Sequence, residues 1–256
     1  MNRSANYDEL AGSFDRRYEG DDYADVARLV VEFTEPGRRV LEVGCGTGHW
    51  LALLHAVGAE VSGLDASPEM LHRARAKVPG AELRLGSAER LPWPDAFFDR
   101  VLCVNAFHHF PQKREFIAEA RRVLASAGAL LIVGMDPHTR LDRWWVYEYF
   151  EETLEIDRAR FPASQTIRTW MQGEGFDEAV TMVAQHMQRQ APLSKASSGG
   201  RLAKSSTSQL AVLSEGEYAR GLDRMHQANS RLQAQGRELV LSADIRLYAT
   251  IGRVRA

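Results

Sequence analysis

Three glycines at alternate positions, Gly44, Gly46 and Gly48, follow an apolar strand that contains a single acid, Glu42. Glycines remove side chains where a chain turns, so that the backbone can approach a ligand closely. A buried acid is costly unless a partner satisfies it, so Glu42 needs one. The next strand ends in Asp65, whose carboxylate is placed to accept hydrogen bonds from a pair of hydroxyls. Together these residues predict half of a nucleoside-binding site.

Patterns typical of strands and of helices alternate along residues 1–150. This alternation predicts a parallel sheet covered by helices on both faces, and these elements position the residues named above. The sequence strongly predicts that a helix begins at Pro68, because a capping hydroxyl (Ser67), a proline and an acid (Glu69) come in succession. The sequence predicts strands at 40–43, 60–64, 81–85, 99–104 and 129–135, and helices at 47–57, 68–78 and 111–124.

The pattern changes beyond Pro137, where aromatic and charged residues alternate over 138–165 and predict an amphipathic helical insert. A polar run at 194–208 is predicted as a loop. Ser214 and Glu217 fit a capping box that opens a further helix. The remaining predictions are a helix at 166–173 and strands at 178–190 and 239–254, the strands forming an antiparallel edge to the sheet.

Composition and charge bound the function. The chain has 256 residues and a net charge of −2, which gives no long-range attraction for a polyanion, so nucleic acid is not an expected partner. The cysteines Cys45 and Cys103 have neither pairing nor metal-ligand spacing, which suits a reducing compartment. We find neither a signal peptide nor a run of about 20 apolar residues that would cross a bilayer. These features predict a cytoplasmic protein.

Four segments in a fixed order resemble the class I S-adenosylmethionine-dependent methyltransferases, in the subgroup that methylates small molecules and quinones. They are residues 42–48 (Glu-Val-Gly-Cys-Gly-Thr-Gly), Asp65, residues 86–93 and residues 98–101. The resemblance covers about residues 38–136 by motif and the rest by element order. Dinucleotide-binding dehydrogenases share a glycine turn, but this one lacks the spacing of their third glycine.

The resemblance implies an α/β fold, a doubly wound, mostly parallel seven-stranded (Rossmann-like) sheet with an antiparallel edge strand and helical lid insertions. It implies a single methyltransferase domain over residues 1–256. Its core would comprise about 25–136, 166–193 and 238–256, and its inserts about 137–165 and 194–237. By analogy with open α/β sheets, the inserts are expected above the carboxyl ends of the strands, where they would select the substrate.

The same resemblance assigns residues to the cofactor S-adenosylmethionine. Glu42 is expected to hold the amino acid end, through the ammonium group or a water molecule. The backbone around Gly44, Cys45, Gly46 and Gly48 is expected to face that same end. Asp65 is expected to take both ribose hydroxyls, because an ionised carboxylate accepts hydrogen bonds and donates none.

The adenine is expected to pack on Ala66 and Met70. Relatives have an aspartate that accepts from the adenine amino group at the position of Ser87; a serine hydroxyl accepts more weakly, so the backbone of Ala88 is the stronger candidate. Asn105, at the end of the fourth strand, is expected to offer its carbonyl or its amide to the methionine end.

His108 and His109 follow Asn105 and are candidates for a general base that removes a proton from the acceptor, with His109 favoured. Alternatively, one of them packs near the cofactor or orients the loop. Tyr7 and Tyr18 lie in a segment that folds over the cofactor in relatives, although packing alone would explain them equally well.

The aromatic insert has two interpretations. Its side chains would line an apolar acceptor pocket, or they would form a core, which is the commoner role of aromatics at helical spacing. The basic residues of the 194–208 run would close over an anionic substrate, or they belong to a solvated loop, which we favour. The aromatic residues concerned are Trp144, Trp145, Tyr149 and Phe150.

The predicted function is direct, metal-independent transfer of a methyl group from S-adenosylmethionine to an oxygen, nitrogen or carbon atom of a small molecule, by a monomer or homodimer. The alternatives are an NAD-dependent oxidoreductase and a non-catalytic protein that binds S-adenosylmethionine. An RNA or protein methyltransferase is disfavoured by the net charge and by the missing Asn-Pro-Pro-Tyr type of signature.

Overall fold

The structure is a computed structural model that describes Asp15, Tyr18 and residues 23–255; the candidate Tyr7 lies outside the described residues. In chain order the helices and strands are α1 (Ala24–Thr34), β1 (Arg39–Val43), α2 (His49–Ala56), β2 (Glu60–Asp65), α3 (Pro68–Lys77), β3 (Glu82–Leu85), β4 (Phe98–Val104), a 3-10 turn (Phe107–His109), α4 (Lys113–Val123), β5 (Leu124–Met135), β6 (Arg143–Trp144), α5 (Trp145–Tyr149), α6 (Glu152–Arg160), α7 (Ser164–Gly173), β7 (Glu178–Pro192), α8 (Leu193–Ser198), a second 3-10 turn (Lys204–Ser206), α9 (Ser208–Ala211), α10 (Glu215–Gln233) and β8 (Val240–Arg253).

The described residues divide into two compact units. The smaller unit comprises Pro137–Phe161 and His186–Arg246, and the larger unit contains the described residues up to Asp136 together with Pro162–Gln185 and the chain from Leu247 onward. The predicted inserts, 137–165 and 194–237, fall within the smaller unit except for residues 162–165. The single-domain organisation stays a prediction.

The larger unit is built on a sheet with the strand order β3-β2-β1-β4-β5-β8, and β7 pairs with β8. Strands β1 to β5 run parallel to one another, whereas β8 runs antiparallel to β5, with Leu131 opposite Ile251. The predicted α/β fold with a mostly parallel sheet is confirmed. Because parallel strands end at one edge, the segments after β1, β2, β3 and β4 lie beside one another.

The core of the larger unit explains the near-continuous apolar strands. Val40 and Leu41 of β1 and Val101 and Leu102 of β4 are completely buried, since helices cover both faces of a parallel sheet. Burying a side chain of this size stabilises a fold by about 1.5–3 kcal/mol. The strands therefore form a rigid base for the turns at their carboxyl ends.

Strand β5 is longer than predicted, because it begins at Leu124 instead of residue 129. Leu124 pairs with Phe98, and the register then shifts so that Ala129 pairs with Arg100. Ala127 has a positive φ of 58° within this irregular stretch. The residues at the start of β5 are mostly small or polar, so the sequence pattern did not predict that the strand begins there.

The smaller unit has its own core, into which Trp145, Tyr149 and Phe150 pack together with side chains from α8, α9, α10 and β8. Strand β6 pairs antiparallel with the first part of β8. The predicted capping box of α10 is confirmed, since the backbone N–H of Glu217 donates to Ser214 Oγ and that of Ser214 donates to the Glu217 carboxylate.

The prediction of a loop over 194–208 is wrong. Residues 193–198 form α8, residues 204–206 form a 3-10 turn, and α9 begins at Ser208. Leu193 and Ala196 are buried in the core of the smaller unit. Thr207 caps α9 by accepting a hydrogen bond from Leu210 N–H. Burial of these two side chains and the cap at Thr207 stabilise helical structure here despite the polar composition of the segment.

Candidate active site

The glycine turn joins β1 to α2 in a backbone conformation that requires glycine. Gly44, Gly46 and Gly48 have φ values of 75°, 53° and 78°, in the left-handed region. A Cβ atom on Gly44 would lie 2.4 Å from the Cβ atom of Ala106, and one on Gly48 would lie 3.1 Å from that of Ala74. The turn is therefore closely packed from behind.

Hydrogen bonds tie this turn to the end of β2. The N–H groups of Gly44 and Cys45 donate to the carbonyl of Leu64, at 2.8 and 3.1 Å. Gly46 N–H donates to Asp65 Oδ2 at 2.8 Å. The glycines thus supply room for close approach, while the N–H groups of Gly44 and Gly46 brace the turn against the end of β2.

Asp65 lies at the centre of the candidate site. Its Oδ1 atom accepts from Ser67 N–H at 2.9 Å, and its backbone carbonyl accepts from Gly86 N–H at 3.0 Å. The second bond brings the 86–88 segment beside the end of β2. Since each carboxylate oxygen has two lone pairs, Asp65 keeps the capacity to accept further hydrogen bonds.

Glu42 is buried directly behind the turn. The residue is 1% exposed, and its Oε2 atom has no hydrogen-bond partner within the described part of the chain. Burial, together with the neighbouring Asp65, raises the pKa of Glu42 well above its usual range. Buried carboxyl oxygens in native proteins normally have a hydrogen-bond partner, so this oxygen has room for a bond from a ligand or a water molecule.

A polar cluster that sequence analysis missed braces the glycine turn. Asp15 binds the hydroxyl of Thr47, a residue that is 1% exposed, and its other oxygen lies 2.6 Å from Lys77 Nζ. Burial opposes ionisation of Asp15, but the hydrogen bonds from Lys77 and Thr47 outweigh it and lower its pKa. These residues are far apart in the chain, so no local signal reveals the cluster.

Aromatic residues lie next to this cluster. The ring of Tyr18 stacks on His49, with centroids 3.8 Å apart and an interplanar angle of 7°, and meets Trp50 edge-on at 5.4 Å. Burial lowers the pKa of His49. Tyr23 accepts a hydrogen bond at 3.1 Å from the side-chain amide of Asn105. Tyr18 was a candidate from the sequence, whereas Tyr23 and His49 were not.

The end of β4 presents the remaining polar candidates. Asn105 has a positive φ of 53°. The rings of His108 and His109, in the 3-10 turn that follows, lie 3.7 Å apart at an angle of 47°. His108 is buried, and His109 is half-buried. The structure therefore brings both histidines and Asn105 to the same edge of the sheet as Asp65.

The residues predicted for the adenine follow β2 and β3. Ala66 is exposed, whereas Met70 is 1% exposed at the start of α3. Ser87 is exposed and its hydroxyl donates to the carboxylate of Glu89, and Ala88 is 5% exposed. These residues share the edge of the sheet that carries Asp65, and their contacts with a cofactor stay a prediction.

Two findings concern other classes of site. Across the described residues, no group of three or more His, Cys, Asp or Glu side chains is arranged to hold a metal ion. No helix in the described part of the chain has both the length and the apolar character needed to cross a membrane.

The site fits the chemistry of the predicted cofactor. It combines a closely packed glycine turn, a carboxylate at the end of the neighbouring strand and a buried acid with an unsatisfied oxygen. The aromatic insert belongs to the smaller unit, where Trp145, Tyr149 and Phe150 are buried in the core. Their proposed role in lining a pocket stays a prediction.

Comparison with known proteins supports this interpretation. Residues 41–132 match the family described as "Methyltransferase domain". The chain is 31% identical over 162 residues to 2-methyl-6-phytyl-1,4-hydroquinone methyltransferase 1, chloroplastic, of Oryza sativa subsp. japonica, a match covering 62% of this chain and 47% of the relative. It is 40% identical over 106 residues to the demethylmenaquinone methyltransferase of Deinococcus radiodurans, covering 39% and 44%.

Among solved structures, the fold matches a putative methyltransferase from an antibiotic biosynthesis pathway of Anabaena variabilis, with a TM-score of 0.67, 21% identity and coverage of 90% of this chain and 96% of that one. The chain spans about half the length of the curated relatives that it matches. The predicted resemblance and fold class are confirmed.

Proposed function

We propose, on the premise that residues 41–132 form a class I S-adenosylmethionine-dependent methyltransferase domain, that this protein transfers a methyl group from S-adenosylmethionine to a small molecule. The proposal rests on one arrangement of residues at the carboxyl ends of the parallel strands. Asp65 is joined to the left-handed glycine turn through Gly46 N–H, and Glu42 lies behind that turn with an unsatisfied oxygen.

Each part of the cofactor would have a suitable binding group in this arrangement. The ribose diol would donate to Asp65, and the ammonium group would bind at Glu42. The adenine would pack between Ala66, Met70 and the 87–88 segment. Asn105, whose amide N–H is held by Tyr23, would offer its carbonyl oxygen to the methionine end.

S-adenosylmethionine supplies an already activated methyl group on a sulfonium, so the chain itself has only a few tasks. It must place the acceptor atom in line with the methyl group and exclude water. His109, or His108 beside it, would take the proton from an acceptor hydroxyl. We assign no step to a metal ion.

The acceptor proposed first is a small molecule with a hydroquinone ring. The names of two relatives support this choice, since one acts on 2-methyl-6-phytyl-1,4-hydroquinone and the other on demethylmenaquinone. The protein would work in the cytoplasm, as a monomer or homodimer and without nucleic acid. The buried free thiols of Cys45 and Cys103 are consistent with a reducing compartment.

The test is an incubation with S-adenosylmethionine labelled in its methyl group and a panel of hydroquinones, followed by mass analysis of the products. We expect label in at least one small product, and less label after Asp65→Ala at a donor concentration below saturation. Binding of S-adenosylmethionine without turnover on any acceptor, including a metabolite extract, would favour the non-catalytic binding protein. Stabilisation by NAD instead of S-adenosylmethionine would favour the oxidoreductase.

A further inference from the structure

The side chain of Glu42 is almost completely buried. Glu42 lies on β1, between β2 and β4, and the residue is 1% exposed. The backbone N–H of Leu51 donates to the carboxyl group, but Oε2 has no partner among the described residues. The surrounding protein therefore satisfies only part of this group.

The charges around Glu42 disfavour its ionised form. The titratable groups that face it, from the glycine turn, β2, β4 and α3, are Cys45, Asp65, Cys103 and Lys77. Within the described part of the chain, Lys77 is the cation among them, and its Nζ is 2.6 Å from Asp15. An ionised Glu42 would thus lie beside the carboxylate of Asp65 without a cation of its own. Burial first and Asp65 second raise its pKa, in agreement with this geometry.

We infer that Glu42 carries a proton in the ligand-free protein and releases it to the solvent when the ammonium group of S-adenosylmethionine, or of its product S-adenosylhomocysteine, binds. The inference rests on the proposed function, because it assumes that this cofactor occupies the site. The O–H bond of Glu42 breaks and the buffer takes the proton, while the ammonium group keeps its three protons and its charge. The carboxylate then has the cation that its surroundings lack.

The sign of the pH dependence follows from linkage. Below the raised pKa, the free protein holds one proton more than the complex, so binding weakens as the pH falls, by up to tenfold per pH unit. Above that pKa the affinity levels off. His49 is the other buried titratable group near the turn, and burial lowers its pKa, so it stays neutral in slightly alkaline buffer.

The experiment is isothermal titration of the full chain with S-adenosylhomocysteine at pH 7.5, in buffers of low and high ionisation enthalpy. We expect the difference in observed heat to show net release of protons by the unaltered protein. Glu42→Gln keeps the size of the side chain and has no acidic proton, so we expect it to release none. The nucleoside 5′-methylthioadenosine lacks the amino acid end, so it should bind the unaltered protein without proton release.

The 5′-methylthioadenosine titration needs no variant, so the comparison survives if Glu42→Gln fails to fold. Normal binding of S-adenosylhomocysteine with no proton released would overturn the inference and leave the proposed function intact. Equal release by Glu42→Gln, or equal release with 5′-methylthioadenosine, would overturn it too. A failure of S-adenosylhomocysteine to bind at all would instead reject the proposed function.

Discussion

Each unit of the molecule contains a buried carboxyl group, but the two groups differ in how their oxygens are satisfied. In the smaller unit, Asp157 is 0% exposed and accepts from Tyr147 Oη and from Arg160, both at 2.8 Å. In the larger unit, Glu42 is just as deeply buried and one of its oxygens has no partner in the described part of the chain. Both oxygens of Asp157 have partners within the chain, whereas one oxygen of Glu42 has room for a hydrogen bond from a ligand or a water molecule.

The largest expected effect is a loss of stability when Asp157 is removed. Asp157→Ala leaves the Arg160 guanidinium buried without its counter-ion, so we expect a loss of about 3–5 kcal/mol in the free energy of unfolding. Glu42→Gln is the matched control in the larger unit, and it should cost less than about 1 kcal/mol because it removes no paired charge. Urea denaturation followed by circular dichroism measures both, and equal losses would contradict the contrast between the two acids.

The next effect concerns the proposed base. His109→Ala should lower kcat by about 100-fold or more, as expected when a general base is removed, with little change in affinity for S-adenosylhomocysteine. His72→Ala, an exposed position on α3, serves as the control. Methyl-transfer kinetics and isothermal titration separate the two quantities. Full activity of the His109 variant together with loss of activity in His108→Ala would move the role to the neighbouring ring.

A smaller effect is expected on the ribose contact. Asp65→Ala should weaken S-adenosylhomocysteine binding by about tenfold or more, because it removes a pair of charge-assisted hydrogen bonds. Glu69→Gln, an acid on α3 that pairs with Arg73, should bind normally. Titration calorimetry compares the three proteins, and unchanged affinity in the Asp65 variant would remove that residue from the site.

The smallest effect isolates packing behind the glycine turn. Gly44 and Gly37 have the same φ of 75°, but a Cβ on Gly44 would lie 2.4 Å from Ala106 Cβ whereas one on Gly37 has nothing within 4 Å. Gly37→Ala should cost only the left-handed backbone strain of about 1–2 kcal/mol. Gly44→Ala should cost roughly 1 kcal/mol more through the clash. Thermal unfolding that ranks them in the reverse order would contradict the close packing of the turn.

Local chemistry explains what the sequence predicted well. The glycine turn, the acid that ends β2 and the helix start at Ser67 each depend on neighbouring residues, and the structure confirms the elements on which they lie. The cluster of Asp15, Thr47 and Lys77 depends on contacts between residues up to 62 positions apart, so no local pattern could reveal it. In the smaller unit, the buried Leu193 lies just before the polar run and the buried Ala196 within it, so the composition of the run gave no sign of a helix.

Binding of the methyl donor at Asp65 is tested most directly by titrating the unaltered protein with S-adenosylhomocysteine and, separately, with NAD. We expect saturable binding of S-adenosylhomocysteine at one site per chain, weakened by Asp65→Ala, and no binding of NAD. Binding of NAD with the same dependence on Asp65, and none of S-adenosylhomocysteine, would contradict it.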